Sequence, residues 1–280
     1  MSKMRLSLTI DEDIIKKIDS TIDGINVRNR SHAMELLVSK AIRANMPKKA
    51  FILAGGQGTR LRPITYEIPK PMIPIKGRPL LEHTINLLRK YDIREIIISI
   101  GYLGEKIKEY FGNGSKFGVT IHYIEEKEPM GTAGPLKLAR KMLDTTFLML
   151  NGDNVFNLDL VQMYRFHKKE NASATIALTA VEDPSRYGVT RMNGAKIIEF
   201  LEKPQRWESN LINAGVYILE PEALDLIPEG FSKIETDVFP VIASRNKLCG
   251  YPFEGYWKDL GTLESYEEAL KDFDSGKIGY

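Results

Sequence analysis

The apolar positions of this chain change their period near residue 47, and the change divides it into two pieces. Leu6, Leu8 and Ile10 alternate with Arg5, Ser7 and Thr9, the period-two pattern of a strand with one apolar face. Asp11, Glu12 and Asp13 suit the positive end of a following helix, along which Ile14, Ile18 and Ile22 recur at fourfold spacing until Gly24. A second helix is predicted from an N-cap at Ser31, with Met34, Leu37, Val38 and Ala41 as its buried face. So small a unit cannot cover its own apolar stripes, and residues 1–46 are expected to be stable only as a dimer, the simplest solution, or against the larger piece.

After the short linker Met46-Pro47-Lys48-Lys49, residues 47–280 follow a different rhythm. Strands are predicted at Ala50–Leu53, Glu95–Ile100, Val119–Ile124 and Phe147–Leu150, separated by helices near Leu80–Leu88, Glu105–Phe111 and Thr132–Met142. That alternation predicts an α/β, Rossmann-like, mostly parallel sheet with helices on both faces and ligands at the carboxyl ends of its strands. Beyond Asn171, shorter alternating stretches at Ser173–Thr179, Lys196–Phe200 and Asn213–Leu219 predict a mixed, partly antiparallel second half.

Composition narrows the context. The 280 residues hold 39 basic and 37 acidic side chains, too even a balance to imply nucleic-acid or membrane binding except through a local patch. Cys249 is the only cysteine, which excludes intrachain disulfides and cysteine-built zinc sites and fits a reducing cytoplasm. No apolar run approaches the ~20 residues that span a bilayer, so no membrane association is expected.

The strongest chemical signal is the run Leu53-Ala54-Gly55-Gly56-Gln57-Gly58-Thr59-Arg60-Leu61, a glycine-rich loop directly after the first strand of the large piece. Its glycines let backbone N–H groups approach phosphate oxygens. No Gly-Lys-Ser/Thr follows, so it is not a P-loop, and its spacing differs from the dinucleotide fingerprint. Arg60 and Lys70, the latter stiffened between Pro69 and Pro71, supply cations for a triphosphate. Asp153 follows the strand Phe147–Leu150 and Asp259 lies in a later loop; two such carboxylates with phosphate oxygens and water suit Mg2+.

These segments, with Pro69 through Leu81, Met130-Gly131-Thr132-Ala133-Gly134, Asn151-Gly152-Asp153-Asn154, Glu202-Lys203-Pro204, Asn213-Ala214-Gly215-Val216-Tyr217 and Trp257 through Thr262, occur in one order over residues 49–275. That order resembles the sugar-phosphate nucleotidyltransferases. The resemblance implies a nucleotide-diphospho-sugar transferase fold and joining of an NTP to a sugar 1-phosphate with release of pyrophosphate. It assigns the nucleotide to Leu53, Ala54, Gly55, Gly56, Gly58, Thr59, Arg60, Lys70, Gly131 and Asp153. The sugar falls to Tyr187, Gly188, Glu202, Lys203, Asn213 and Gly215, and Mg2+ to Asp153 and Asp259. Arg60, Lys70, Asp153, Lys203 and Asp259 would carry the catalysis. Gly131 through Leu136 looks like mannose-1-phosphate guanylyltransferases and Gly152-Asp153-Asn154 equally like glucose-1-phosphate thymidylyl or uridylyl enzymes, so base and sugar stay open. Cytidylyl transfer to a choline or polyol phosphate is the less favoured substrate class. No hexapeptide-repeat segment follows, and a second, acyltransferase activity is not expected.

Residues 1 to about 45, with Asn29-Arg30-Ser31-His32-Ala33 opening the second helix, resemble ribbon-helix-helix DNA-binding repressors. The resemblance implies an intertwined homodimer, with Arg5, Ser7 and Thr9 on base edges and the start of the second helix on phosphate. Eight basic side chains opposed by six acidic ones make a weak field for DNA, so dimerisation alone fits equally well. A sugar-nucleotide-sensing transcriptional regulator, or an enzyme that also represses, is therefore the alternative to a plain enzyme.

Overall fold

The structure is a computed structural model and describes residues 6–43 and 46–278. It divides into two compact units, Met1–Asn45 and Met46–Tyr280. Among the described residues no helix is long and apolar enough to cross a membrane.

The smaller unit holds two helices, α1 (Glu12–Asp19) and α2 (Arg30–Arg43). Asp11 caps α1 by accepting the Asp13 N–H at 2.9 Å. The intervening loop winds around Asp23, whose Oδ1 accepts the backbone N–H groups of Ile25, Asn26 and Val27. Those bonds, led by the one from Val27, hold its carboxyl down at about 2. The Arg30 guanidinium then ties the two helices through a two-pronged pair with Asp19 at 2.7 and 2.5 Å.

Four expectations fail here. Residues 6–10 form no strand within the chain, because so short an extended segment needs another strand to satisfy its backbone; Arg5 lies outside the described residues. The cap of α2 is Asn29, whose Oδ1 accepts the His32 N–H at 3.0 Å, and Ser31 already lies inside the helix. The predicted buried stripe of α2 is also uncovered: Ala33 is buried, but Leu37, Val38 and Ala41 are exposed. On α1, Ile18 is buried while Ile22 falls in the turn beyond the helix end.

The larger unit begins with β1 (Lys49–Ala54), the small hairpin β2 (Pro74–Ile75) and β3 (Arg78–Pro79), then α3 (Leu80–Lys90), β4 (Glu95–Ile100), α4 (Gly104–Phe111) and β5 (Thr120–Glu125). It continues through α5 (Gly134–Leu138), β6 (Phe147–Asn151), β7 (Asn154–Phe156), α6 (Leu160–Lys169), β8 (Ala174–Ala180), β9 (Gly188–Asn193) and β10 (Lys196–Glu202). β11 (Leu211–Leu219), α7 (Phe239–Ser244), β12 (Leu248–Pro252), β13 (Trp257–Asp259) and α8 (Leu263–Asp274) complete it. Nine strands form one sheet in the order β5-β4-β1-β6-β11-β8-β12-β10-β9. The first four run parallel, and β11 enters antiparallel to both β6 and β8, giving the mixed second half.

Strand alternation sorts the core. Ala50, Ile52, Ile96, Ile98, Leu148 and Leu150 pack on one face with α3, α4 and α6, and Phe51, Ile97, Phe147 and Met149 on the other with α5 and α7. The helix predicted over Thr132–Met142 shrinks to α5, since Pro135 sits in its first turn and residues 139–142 tighten into i to i−3 hydrogen bonds. Only the fold of the larger unit bears on the site below.

Candidate active site

The parallel strands deliver their carboxyl ends to one rim, and a cavity of about 450 Å³ opens there. Its floor is the loop that leaves β1 at Ala54, with Leu53 through Gln57 on the wall. The Gly152 N–H donates to the Leu53 carbonyl at 2.9 Å, so the turn after β6 is pinned against the turn after β1. Lys70 is carried into the cavity on the short 3-10 turn Lys70–Met72 and is almost wholly buried.

Two carboxylates meet that ammonium. Lys70 Nζ stands 2.5 Å from Asp153 Oδ2 and 3.4 Å from Asp259 Oδ1. The pairing of β13 with β7 causes this meeting: Asp259 lies opposite Asn154, and the Leu260 N–H donates to the Asp153 carbonyl at 3.0 Å. Arg60, more than half exposed, reaches Asp259 Oδ2 at 3.7 Å. Burial, then the charge of Asp153, pushes the Asp259 carboxyl up, while Lys70 and Arg60 pull it back. Arg60, Lys70, Asp153 and Asp259, four residues spread over 200 positions of sequence, form one charged network.

Opposite the glycine loop stands Met130-Gly131-Thr132. Gly131 has φ +77°, and a Cβ there would run into the Ser232 carbonyl, so only glycine fits. The Thr132 hydroxyl donates to Glu235 at 2.5 Å and accepts the Ile234 N–H at 2.9 Å, which locks the wall to residues 232–235.

The residues assigned to the sugar sit on β9, β10 and β11 and are less tightly assembled. Gly188 pairs with Glu202 across β9 and β10. The Lys203 N–H donates to the Tyr187 carbonyl at 3.0 Å, joining the two motifs. Tyr187 stands edge-on to Trp257 with ring centroids 5.4 Å apart. Asn213 and Gly215 lie in the irregular stretch of β11, where Asn213 Oδ1 accepts the Gly215 N–H at 2.9 Å and Asn213 Nδ2 donates to Tyr217 at 2.9 Å. The Lys203 ammonium does not join the aspartates. It is 65% exposed and pairs with Glu202 at 3.5 Å.

Gly58 and Thr59 lie in the turn between the cavity and Arg60, and the Gly58 carbonyl accepts the Thr65 hydroxyl at 2.8 Å. Ser7 and Thr9 are exposed in the smaller unit. Sequence reasoning missed Glu126 and Asn151. Both line the cavity, and Asn151 Oδ1 is buried without a hydrogen-bond partner among the described residues. Asn151 stands in a motif already quoted, whereas a lone glutamate after a strand carries no sequence signal.

A single parallel-to-mixed sheet with a glycine-walled cavity at its rim, lined by Lys70 and Asp153 with Asp259 against the same ammonium, defines an α/β protein with a charged pocket at the carboxyl ends of its parallel strands. Residues 49–276 match the nucleotidyl transferase family model, and the chain belongs to that family. It is 42% identical over 241 residues to a mannose-1-phosphate guanyltransferase of Yarrowia lipolytica, covering 83% of this chain. The chain spans 64% of the length of that relative. Among solved structures, HddC from Yersinia pseudotuberculosis complexed with GMP-PN superposes with a TM-score of 0.70 at 29% identity, covering 81% of this chain and 99% of the other. UDP-glucose pyrophosphorylase complexed with UDP-glucose superposes with a TM-score of 0.72 at 25% identity, covering 82% and 99%.

Proposed function

We propose that this protein transfers a guanylyl group from GTP to a hexose 1-phosphate, most simply mannose 1-phosphate, releasing pyrophosphate. The observation that carries this reading is the Lys70 ammonium held between Asp153 and Asp259 beside a glycine loop. The 42% identity to a guanyltransferase supports the choice of base and sugar.

A phosphate oxygen of the sugar 1-phosphate attacks the α-phosphorus. The bond from that phosphorus to the bridging oxygen breaks, and its electron pair leaves with pyrophosphate. The nucleophile is anionic near neutral pH, so no general base is needed, and catalysis comes from positioning and charge. Arg60 and Lys70 face the triphosphate; the loop Leu53–Thr59 offers its N–H groups; Gly131 borders the base. Glu202 and Asn213 hold the sugar hydroxyls against Tyr187, Gly188 and Gly215, while the exposed Lys203 closes on the incoming phosphate. Removing one such contact typically costs about 2–4 kcal/mol of transition-state stabilisation.

Two hard oxygen donors that already hold a cation between them suit Mg2+, which keeps phosphate and water among its ligands. Asp153 and Asp259 would hold it, and bound there it would neutralise charge on the phosphates. Pyrophosphate release across four NTPs and a panel of hexose 1-phosphates, with and without a chelator, tests the whole reading. GTP with mannose 1-phosphate and divalent metal should give the highest rate; no release with any pair would overturn it.

For residues 1–46 the reading is a ribbon-helix-helix unit that forms a homodimer, supported by the exposure of Leu6, Leu8, Leu36, Leu37 and Val38. DNA contact through Arg5, Ser7 and Thr9 belongs to the same reading. Its test is a gel shift with upstream DNA at low salt, lost in Arg5→Ala.

A further inference from the structure

Residues 232–239 touch the site at both ends. Toward the cavity, the Ser232 carbonyl accepts the Ala133 and Gly134 N–H groups at 2.9 and 3.4 Å, and the Ser232 N–H donates to the Met130 carbonyl at 3.1 Å. With the two bonds of the Thr132 hydroxyl, to Glu235 and from the Ile234 N–H, these fasten the wall around Gly131 to the segment. The chain then makes one π-helical turn, Ile234–Val238, and enters α7. Phe239, the first residue of α7, has its ring centroid 5.7 Å from that of Phe200 on β10 and 5.6 Å from that of Tyr217 on β11. Phe200 shares a strand face with Glu202, and the Tyr217 hydroxyl accepts the Asn213 amide at 2.9 Å. One short segment therefore joins the wall assigned to the nucleotide to the strands assigned to the sugar.

The π turn is the unusual part of that segment. Such turns are rare, and the extra residue rotates what precedes it by about 100° relative to the helix that follows. Here the side chain so turned is Glu235, whose carboxylate meets Thr132. Among the described residues no lysine or arginine lies within ion-pair distance of it. Burial pushes its carboxyl up, the Thr132 bond pulls it back, and the charge of Glu202 pushes it up again. Glu235 and Glu202 thus repel each other between the wall and the sugar strands. A carboxylate is a costly brace in that place, since an amide would accept the same Thr132 bond without the repulsion. We infer that Glu235 is a positioning residue that couples the two subsites: donor hydroxyls on Glu202 relieve the repulsion, Glu235 grips Thr132 more firmly, and each ligand raises the affinity for the other. The inference rests on the nucleotidyl-transfer reading for the two ligands, and deepens it by naming the residue that makes them bind together.

The test is calorimetric binding of mannose 1-phosphate to the full chain, with magnesium throughout, in the presence and absence of saturating α,β-methylene GTP. That analogue carries carbon in place of the oxygen whose bond would break, so no transfer occurs. In the wild type the analogue should tighten mannose 1-phosphate binding about 5- to 100-fold, the usual range of a coupling between sites, and mannose 1-phosphate should tighten the analogue by the same factor. Glu235→Gln, whose amide oxygen still accepts from Thr132, should bring the factor below about 3 while each ligand alone keeps its affinity within about threefold. A glutamate that merely braced the wall would be replaced by glutamine without loss of coupling, and that result overturns the inference. Should the variant not fold, Thr132→Val and Thr132→Ser take its place: valine should lose the coupling, serine should retain it through its hydroxyl, and equal coupling in the two overturns the inference. If both ligands bind the wild type independently, the inference falls and the transfer reading stands. If neither binds, the transfer reading falls and takes the inference with it.

Discussion

In the larger unit Ile96, Ile97 and Ile98 run consecutively and all three are fully buried, because β4 is a parallel strand with helices over both faces. In the smaller unit Leu36, Leu37 and Val38 also run consecutively, yet all three are exposed on α2. The first run tells of a face that the chain covers itself. The second tells of a face that the described residues of the two-helix unit leave uncovered. Chemistry follows the same division. The network of Arg60, Lys70, Asp153 and Asp259 lies wholly in residues 46–280, and its geometry is set by pairings within that unit.

If the division is real, a change in the larger unit's network should abolish activity without touching association. Asp153→Ala removes one of the two carboxylates while its backbone bond from Leu260 persists. A loss of at least about 1000-fold in pyrophosphate release is expected, with an unchanged melting profile and unchanged oligomeric size. Retention of most activity would remove Asp153 from the mechanism. Gly131→Ala should be the next largest. Its φ of +77° and the Ser232 carbonyl facing the new Cβ force a shift of the wall, and kcat/KM for the nucleotide should fall about 10- to 100-fold. An unaltered nucleotide KM would show that the wall is not a contact.

A smaller effect concerns the stability of the larger unit. His167, Glu220, Thr146 and Lys168 form a network there, with Glu220 accepting from Thr146 at 2.6 Å and Lys168 at 2.9 Å and facing His167 Nε2 at 3.2 Å. Burial alone would push the Glu220 carboxyl up, but the bonds from His167, Thr146 and Lys168 outweigh it and bring the value from 4.5 down to about 2. A lowered native value means the stabilisation is complete above pH 4.5 and disappears as pH falls toward 2. Glu220→Gln should therefore cost about 1–2 kcal/mol near neutral pH and flatten that acid limb, as read by urea unfolding across the range. An identical acid limb in both proteins would assign it to other groups, Asp23 of the smaller unit among them.

What the sequence disclosed tracks the same contrast. The strands predicted in the larger unit, such as β1, β4 and β6, were legible within a residue or two, because burial on both faces writes a long apolar run, whereas β9 and β12 of the same sheet went unpredicted. Arg60, Lys70, Asp153 and Asp259 were legible as motifs, but nothing in their spacing says that β13 pairs with β7, the pairing that brings Asp259 to Lys70. Glu126 escaped notice because its place in the cavity comes from neighbours on β4 and the glycine loop, far away in sequence. In the smaller unit the helices were foreseen, but the cap moved from Ser31 to Asn29, since either residue type can serve and one turn of loop decides.

The smallest expected effect on activity is the sharpest probe of the comparison. Leu37 and Val38 are 41% and 48% exposed, so replacing both with aspartate should cost the isolated chain less than about 0.5 kcal/mol per site. If a second copy covers that face, the same two carboxylates would be buried without partners, and association should weaken by several kcal/mol. The full-length double variant should then sediment as a monomer where the wild type is a dimer, while kcat/KM per chain stays within about twofold, since none of the network residues lies on α2. A variant of unchanged size would mean that the apolar face of α2 serves some surface other than its own copy. A monomer with lost activity would mean that the two units are coupled, and the separation drawn from their burial would have to be abandoned.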